Sequence, residues 1–274
     1  MKNYDEAAEY SRKVIELDGK QQQGAYLMLG SALNMSGKLQ DAITVYLQGL
    51  KKFPSLHQLH YNLALAYYDI GNLNRAEEAL QRSLQMRPGH VNSHVLLGKL
   101  YQARGDVFKA VLCFTYVLYL DSELHNAAEI EQLVQTNVAV MMNNSTDSLS
   151  IGRFQGDSLF AHTYQELNVR KSSLQENSNF SQALCAFFGS MRSLSEKGHP
   201  LWSDLYAHTF YGMQSSGHCE AFAYSILSMN PNNETDSWMR LNQAKIQDMR
   251  SWIDTHQPPQ KMNQILFGGT SVFR

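Results

Sequence analysis

Between about residues 23 and 124 the chain matches itself at a lag of 34 residues, and that period is the tightest constraint on what it can fold into. A unit of this length is one supersecondary element that cannot bury its own apolar face, so successive units must stack. Leu29, Leu63 and Leu97 stand in register, followed by Gly30, Ala64 and Gly98, then Leu33, Tyr67 and Tyr101. Gly37, Gly71 and Gly105 recur, as do Leu39, Leu73 and Val107, and Ala42, Ala76 and Ala110. Tyr46, Leu80 and Phe114 share one position, and Leu50, Leu84 and Leu118 another. Spacings of three and four within each unit place these groups on one helical face. The small residues let two helices approach closely, and the large ones fill the space between helix pairs. The three glycines fall where a first helix must end in a left-handed turn. Pro54 and Pro88 close two units because proline cannot donate to the helical ladder; Ser122 takes that place in the third.

The run Tyr61-Asn62-Leu63-Ala64-Leu65-Ala66-Tyr67-Tyr68-Asp69-Ile70-Gly71, followed by Arg75-Ala76-Glu77-Glu78-Ala79-Leu80, resembles the consensus of the tetratricopeptide repeat (TPR) family. The resemblance covers somewhat under half of the chain and implies an all-α solenoid of helix-turn-helix units. Three full repeats are expected at 23–56, 57–90 and 91–124, with a half repeat at 1–22 and a closing helix at 125–142. Val117, where the family has a smaller residue, and Ser122 are departures that loosen the third unit. Tyr4-Asp5-Glu6-Ala7 and Val14-Ile15-Glu16-Leu17 read as a second helix whose first helix is missing. Because solenoids end in polar caps, a chain cut from a longer protein is expected in preference to a true start with residues 1–18 as a cap.

Residues 143–156, opening with Asn143-Asn144-Ser145-Thr146, read as a linker. Beyond it the apolar spacing predicts helices at 157–171, 179–197, 201–215, 218–229 and 235–255, then an irregular tail at 257–274 after Pro258-Pro259. Asn179-Phe180-Ser181-Gln182-Ala183 resembles a second-helix opening, but small residues do not recur at a fixed lag. Residues 157–256 are therefore an all-helical, degenerate TPR-like hairpin region that either continues the solenoid or folds against it.

A net charge of -2 gives no basic surface to track a phosphate backbone, so nucleic acid is not expected as a partner. No apolar run reaches the roughly 20 residues that span a bilayer. Cys113, Cys185 and Cys219 are odd in number and far apart, which argues against a disulfide framework or zinc site and for a reducing, cytoplasmic setting. No phosphate-binding loop, dinucleotide fingerprint or His-Glu-x-x-His motif occurs. Asp236, Asp248 and Asp254 have the spacing of a solvated face. In Ser216-Gly217-His218-Cys219-Glu220 the thiol invites a nucleophile reading, but a helix start capped by Ser216, with Cys219 as a small buried group, accounts for it better. His199 and His208 lack metal-ligand spacing. Trp202, Tyr206, Phe210 and Tyr211 are expected in the core. Asn144 and Asn233 open glycosylation-type triplets, which matter only outside the cytosol. No catalytic residue, cofactor or metal is predicted.

The resemblance implies that first helices line a concave groove that holds a partner peptide or protein. Transferred position by position, the groove residues are Leu27, Ser31 and Asn34; Tyr61, Asn62, Leu65 and Tyr68; and Val95, Lys99 and Gln102. Leu27 and Ser31 replace the lysine and asparagine of members that clamp a C-terminal carboxylate, and Asn92 and Leu96 replace the later basic pair. An apolar, amide-bearing groove for an extended or helical peptide is expected instead. The expected function is a non-catalytic interaction scaffold; the alternative is the partner-recruiting region of a larger enzyme.

Overall fold

Among the residues described by the computed structural model (4–17, 21–121, 124–143, 158–174, 178–196 and 201–258) every regular element is helical, so the all-α expectation holds. The described chain divides into two units, 4–100 and 101–258. Helix α6 crosses the boundary.

The first unit contains α1 (Tyr4–Glu16), α2 (Gln22–Met35), α3 (Leu39–Lys52), α4 (His57–Asp69), α5 (Leu73–Met86) and the opening of α6 (Val91–Ala103). Helices α2 with α3 and α4 with α5 form antiparallel hairpins, and α1 packs on α2. Gly37 and Gly71 take φ of 75° and 76°, a conformation that glycine adopts without a Cβ penalty. The Gly37 amide donates to the Asn34 carbonyl and that of Lys38 to Leu33; the same two bonds recur from Gly71 to Tyr68 and from Asn72 to Tyr67. Asn72 also caps α5 by accepting from the Arg75 amide. At the far end of each hairpin the residue before proline leaves the helix: Phe53 has φ -129° and Arg87 φ -143°.

Close approach depends on missing side-chain atoms. A Cβ on Gly30 would lie 2.1 Å from the Tyr46 ring. One on Gly49 would lie 3.1 Å from Tyr26 and 3.0 Å from Leu59, so α3 meets α2 and α4 at the same glycine. Ala42, Ala64 and Ala76 are fully buried, and Tyr46, Leu80 and Leu84 complete the core.

The second unit comprises the end of α6, α7 (Val107–Leu120), α8 (Ala127–Asn143), α9 (Ser158–Ser172), α10 (Phe180–Gly189), α11 (Arg192–Glu196), a π-helical turn (Leu201–Ala207), α12 (His208–Ser215), α13 (Cys219–Leu227), α14 (Asn233–Leu241) and α15 (Gln243–Thr255). Helix α7 is buried on every side from Val111 to Tyr119, which is how Val117 is accommodated. Around it Phe108, Phe160, Phe187, Phe188, Trp202, Tyr206 and Phe210 form an edge-to-face and stacked aromatic core. Trp202, Tyr206 and Phe210 are therefore core residues, as expected, and Tyr211 is half-buried.

Four expectations are corrected. The helix expected at 235–255 is two helices: the carbonyl of Trp238 accepts both the backbone and the side-chain N–H of Asn242, whose φ of -118° breaks the run. That expected at 179–197 stops at Gly189, where buried Ser190 turns its hydroxyl onto the Phe187 carbonyl, and 201–215 begins with the π-helical turn. Ser216 does not cap α13; it ends α12, Gly217 turns with φ 79°, and His218 precedes Cys219. The Gly217 amide donates to the Gln214 carbonyl and that of His218 to Met213, the pair of bonds also made at Gly105 and Asp106. The linker residues 144–156 and the tail from 259 onward lie outside the described residues, as do Ser122, Asn144 and His199.

The thiols are corrected too. Cys185 on α10 and Cys219 on α13 form a disulfide across a separation of 34 residues, and buried Cys113 lies outside it, its thiol donating to the Tyr206 hydroxyl. The sequence count missed it because one cysteine is left over and the two partners meet only when α10 packs on α13.

Gly30→Ala is expected to cost about 1–3 kcal/mol in urea unfolding, the range for overpacking, whereas Gly24→Ala, whose Cβ would meet nothing within 4 Å, should be neutral or stabilising. Alkylation of the denatured, unreduced chain should label one cysteine, and all three after reduction. Cys185→Ser should cost about 3–4 kcal/mol, the loop entropy of a crosslink of this span. Three labels before reduction would show that the two sulfurs are not bonded.

Candidate functional site

Helix α2 packs against α4 as well as against α3, so successive first helices lie side by side. The Asn34 amide donates to the Asp69 carboxylate across the two helices at 3.4 Å. This brings together the transferred positions of the first two repeats. Leu27, Asn34, Tyr61, Asn62, Leu65 and Tyr68 are all half-buried, with part of each side chain open. Val95 is half-buried and Lys99 exposed on α6. Gln102 falls in the second unit and is exposed there.

The side chains are not equally free to meet a ligand. Ser31 lies 3.4 Å from the Tyr46 hydroxyl and is partly used in holding the hairpin. Tyr61 rests edge-on against the His90 ring, with centroids 5.1 Å apart. Burial, and then the charge of Asp69, push the Tyr61 phenol above its ordinary pKa, so it stays a neutral donor. Tyr68, also half-buried, makes no ring contact among the described residues. Met28 and Met35, seven residues apart on α2, are 58% and 60% exposed and add two thioethers to the open surface of that helix. Sequence transfer passed over them, although their spacing puts them on one helical face. Flexible, polarizable methionine surfaces adapt to apolar partners.

Among the described residues no cluster of three His, Cys, Asp or Glu side chains could hold a metal. Asp236, Asp248, Asp254 and His208 are exposed and separate. A hollow open to solvent in the second unit is lined by Asn233, Asp236, Ser237, Met239, Arg240 and Gln243, without a buried acid, base or nucleophile. Lys109 sits over the Tyr101, Phe160 and Trp202 rings with Asp106 at 3.7 Å, a structural cation inside the aromatic core. No described helix is long and apolar enough to cross a membrane.

Comparison with known proteins agrees with this geometry. A family model described as TPR repeat matches residues 30–71, and two described as Tetratricopeptide repeat match 57–90 and 1–21. The chain is 26% identical over 119 residues to BBSome complex member BBS4 of Bos taurus, covering 41% of this chain and 22% of that protein. It is 30% identical over 80 residues to Protein O-mannosyl-transferase tmtc2 of Xenopus laevis, covering 28% of this chain and 10% of that protein. The matches thus span about a fifth and a tenth of these curated relatives.

Proposed function

Given that this chain is a tetratricopeptide repeat protein, we propose that it is a non-catalytic scaffold that holds a partner peptide or protein on the face lined by α2, α4 and α6. The observation that carries the reading is the alignment of α2 with α4, which sets Leu27, Asn34, Tyr61, Leu65 and Tyr68 half-open on neighbouring helices. Ser31, Asn62, Val95 and Lys99 complete the proposed site within the first unit. Its chemistry is apolar with amides and two tyrosines. Lys99 is the one base among these residues, so a partner is held by side-chain packing and backbone hydrogen bonds rather than by its terminal carboxylate. Neither a nucleic-acid partner nor membrane insertion belongs to this reading.

A second reading is supported by the likeness to an O-mannosyl-transferase. In it, these repeats recruit a partner for a larger enzyme whose catalytic part lies elsewhere. As to location, the Cys185–Cys219 disulfide removes the support that separated thiols gave to a cytoplasmic setting and favours an oxidising compartment.

Affinity capture with the intact chain and with a Tyr61→Ala/Tyr68→Ala variant tests the groove. Two central aromatic anchors typically dominate an interface, so retention of bound partners should fall at least about tenfold while thermal unfolding confirms that the variant is folded. Equal retention by a folded variant would move the site elsewhere.

A further inference from the structure

Four histidines meet where the α4–α5 hairpin joins α6, and all lie within the first unit. His60 and His94 are separated by 34 residues, one repeat, and each points Nε2 at the carbonyl of the proline six residues before it: Pro54 at 2.8 Å and Pro88 at 2.6 Å. A carbonyl only accepts, so Nε2 carries the proton in both rings. Nδ1 of His60 is buried and has no hydrogen-bond partner among the described residues, which suits a bare lone pair but leaves a second N–H nowhere to go. His94 is fully buried.

His90 completes the joint. Its Nδ1 is 2.7 Å from the Ser93 hydroxyl, which is 2.9 Å from the Ser83 hydroxyl, which donates to the His57 carbonyl at 3.1 Å. Each hydroxyl has one proton. Since Ser83 gives its proton to the carbonyl, Ser93 must give its own to Ser83, and His90 must donate to Ser93. One directed chain thus ties the turn, α6, α5 and α4 together. Ser83 occupies the small-residue position of its repeat, where Gly49 and Val117 stand in the others. The His57 ring lies edge-on to His90 at 4.9 Å.

We infer that this joint is an acid-sensitive latch between the α4–α5 hairpin and α6: it closes with neutral imidazoles and opens when they take up protons. The charges facing the rings reinforce this. Arg87 acts on His57 and His90, Arg82 acts on His60, and His57 and His90 act on their neighbours; all are cationic or become so. From α3, Lys51 and Lys52 precede Pro54, with Lys52 bonded to Gln22. On α5, Glu77 and Glu78 lie more than a turn before Ser83, and Glu77 accepts from Gln81. On α4, Asp69 acts on Tyr61; α2 carries no charged residue, and on α6 Lys99 lies next to the last first-unit residue, Leu100. Burial, the largest cause, lowers His90 to about 4 and His94 to about 3, and lowers His57 and His60.

The sign follows from linkage. Unfolded histidine titrates near pKa ~6.5, so the open state binds more protons below that pH, and the closed state is fully favoured above it and loses ground as pH falls. At about pH 5.5 each ring that stays neutral only when closed multiplies the opening constant roughly tenfold.

Hydrogen exchange of the full chain, corrected for intrinsic rates, tests this at about pH 7.5 and 5.5. Protection of amides between residues 57 and 94 should fall more than about 100-fold in the wild type. In a His60→Gln/His90→Asn/His94→Gln variant, which keeps the donors without the titrating rings, it should fall less than about tenfold. An equal fall in both overturns the latch. Should the variant not fold, NMR titration of the wild-type rings decides: His60, His90 and His94 neutral at about pH 5.5 supports the latch, and titration near pKa ~6.5 in the folded chain overturns it.

Discussion

The Tyr46 ring occupies the space where Gly30 would otherwise carry a Cβ, 2.1 Å away. Tyr26 and Leu59 close on Gly49 in the same manner. These contacts fix the separation of α2, α3 and α4, and the rest of the first unit is arranged by them. A hairpin that closes at this distance buries Tyr46 and Leu50 and leaves the opposite flank of α2 only partly covered. That flank carries Leu27, Asn34, Met28 and Met35. The open surface is thus a product of the packing: each first helix spends one face on its partner and presents another to solvent or to a ligand. The left-handed turns at Gly37 and Gly71 make the reversal short enough for the pattern to repeat.

The second unit is held differently. Helix α7 has no polar side to turn outward from Val111 to Tyr119, so α8, the π-helical turn and a set of aromatic rings pack against it. Tyr116 meets Tyr206 at 5.1 Å, and Phe188 stacks on Phe210 at 4.5 Å. Large residues replace the small-against-large alternation, and the disulfide from Cys185 to Cys219 ties α10 to α13. One device carries over: the α12–α13 turn uses the same pair of backbone bonds at Gly217 as the repeats use at their glycines.

What could be read from the sequence follows from which interactions are local or periodic. Gly37, Gly71 and Gly105 announce their turns because each backbone position is set within a few residues. The apolar register over 23–124 was legible because it recurs. Gly217 performs the same task, yet no partner stands at the repeat lag to reveal it. The break at Asn242 depends on a side chain choosing the Trp238 carbonyl, and the Cys185–Cys219 bond on two distant helices meeting; neither leaves a local trace. On the candidate surface, transfer by position named Tyr61 and Tyr68 as proposed contacts but did not show that Ser31 is partly occupied by Tyr46 or that Met28 and Met35 stand open. The recurring pairs Pro54 with His60 and Pro88 with His94 were visible at the repeat lag, and their meaning emerges only with the carbonyl in place.

The nesting of helix pairs through absent side-chain atoms is most directly tested by nuclear Overhauser effects at two glycines. Strong cross-peaks are expected from the Gly30 α-protons to the Tyr46 ring and from the Gly49 α-protons to the Tyr26 ring. Absence of both in a folded, assigned chain would mean that the helices do not meet at these positions, and the account of the repeat array would be wrong.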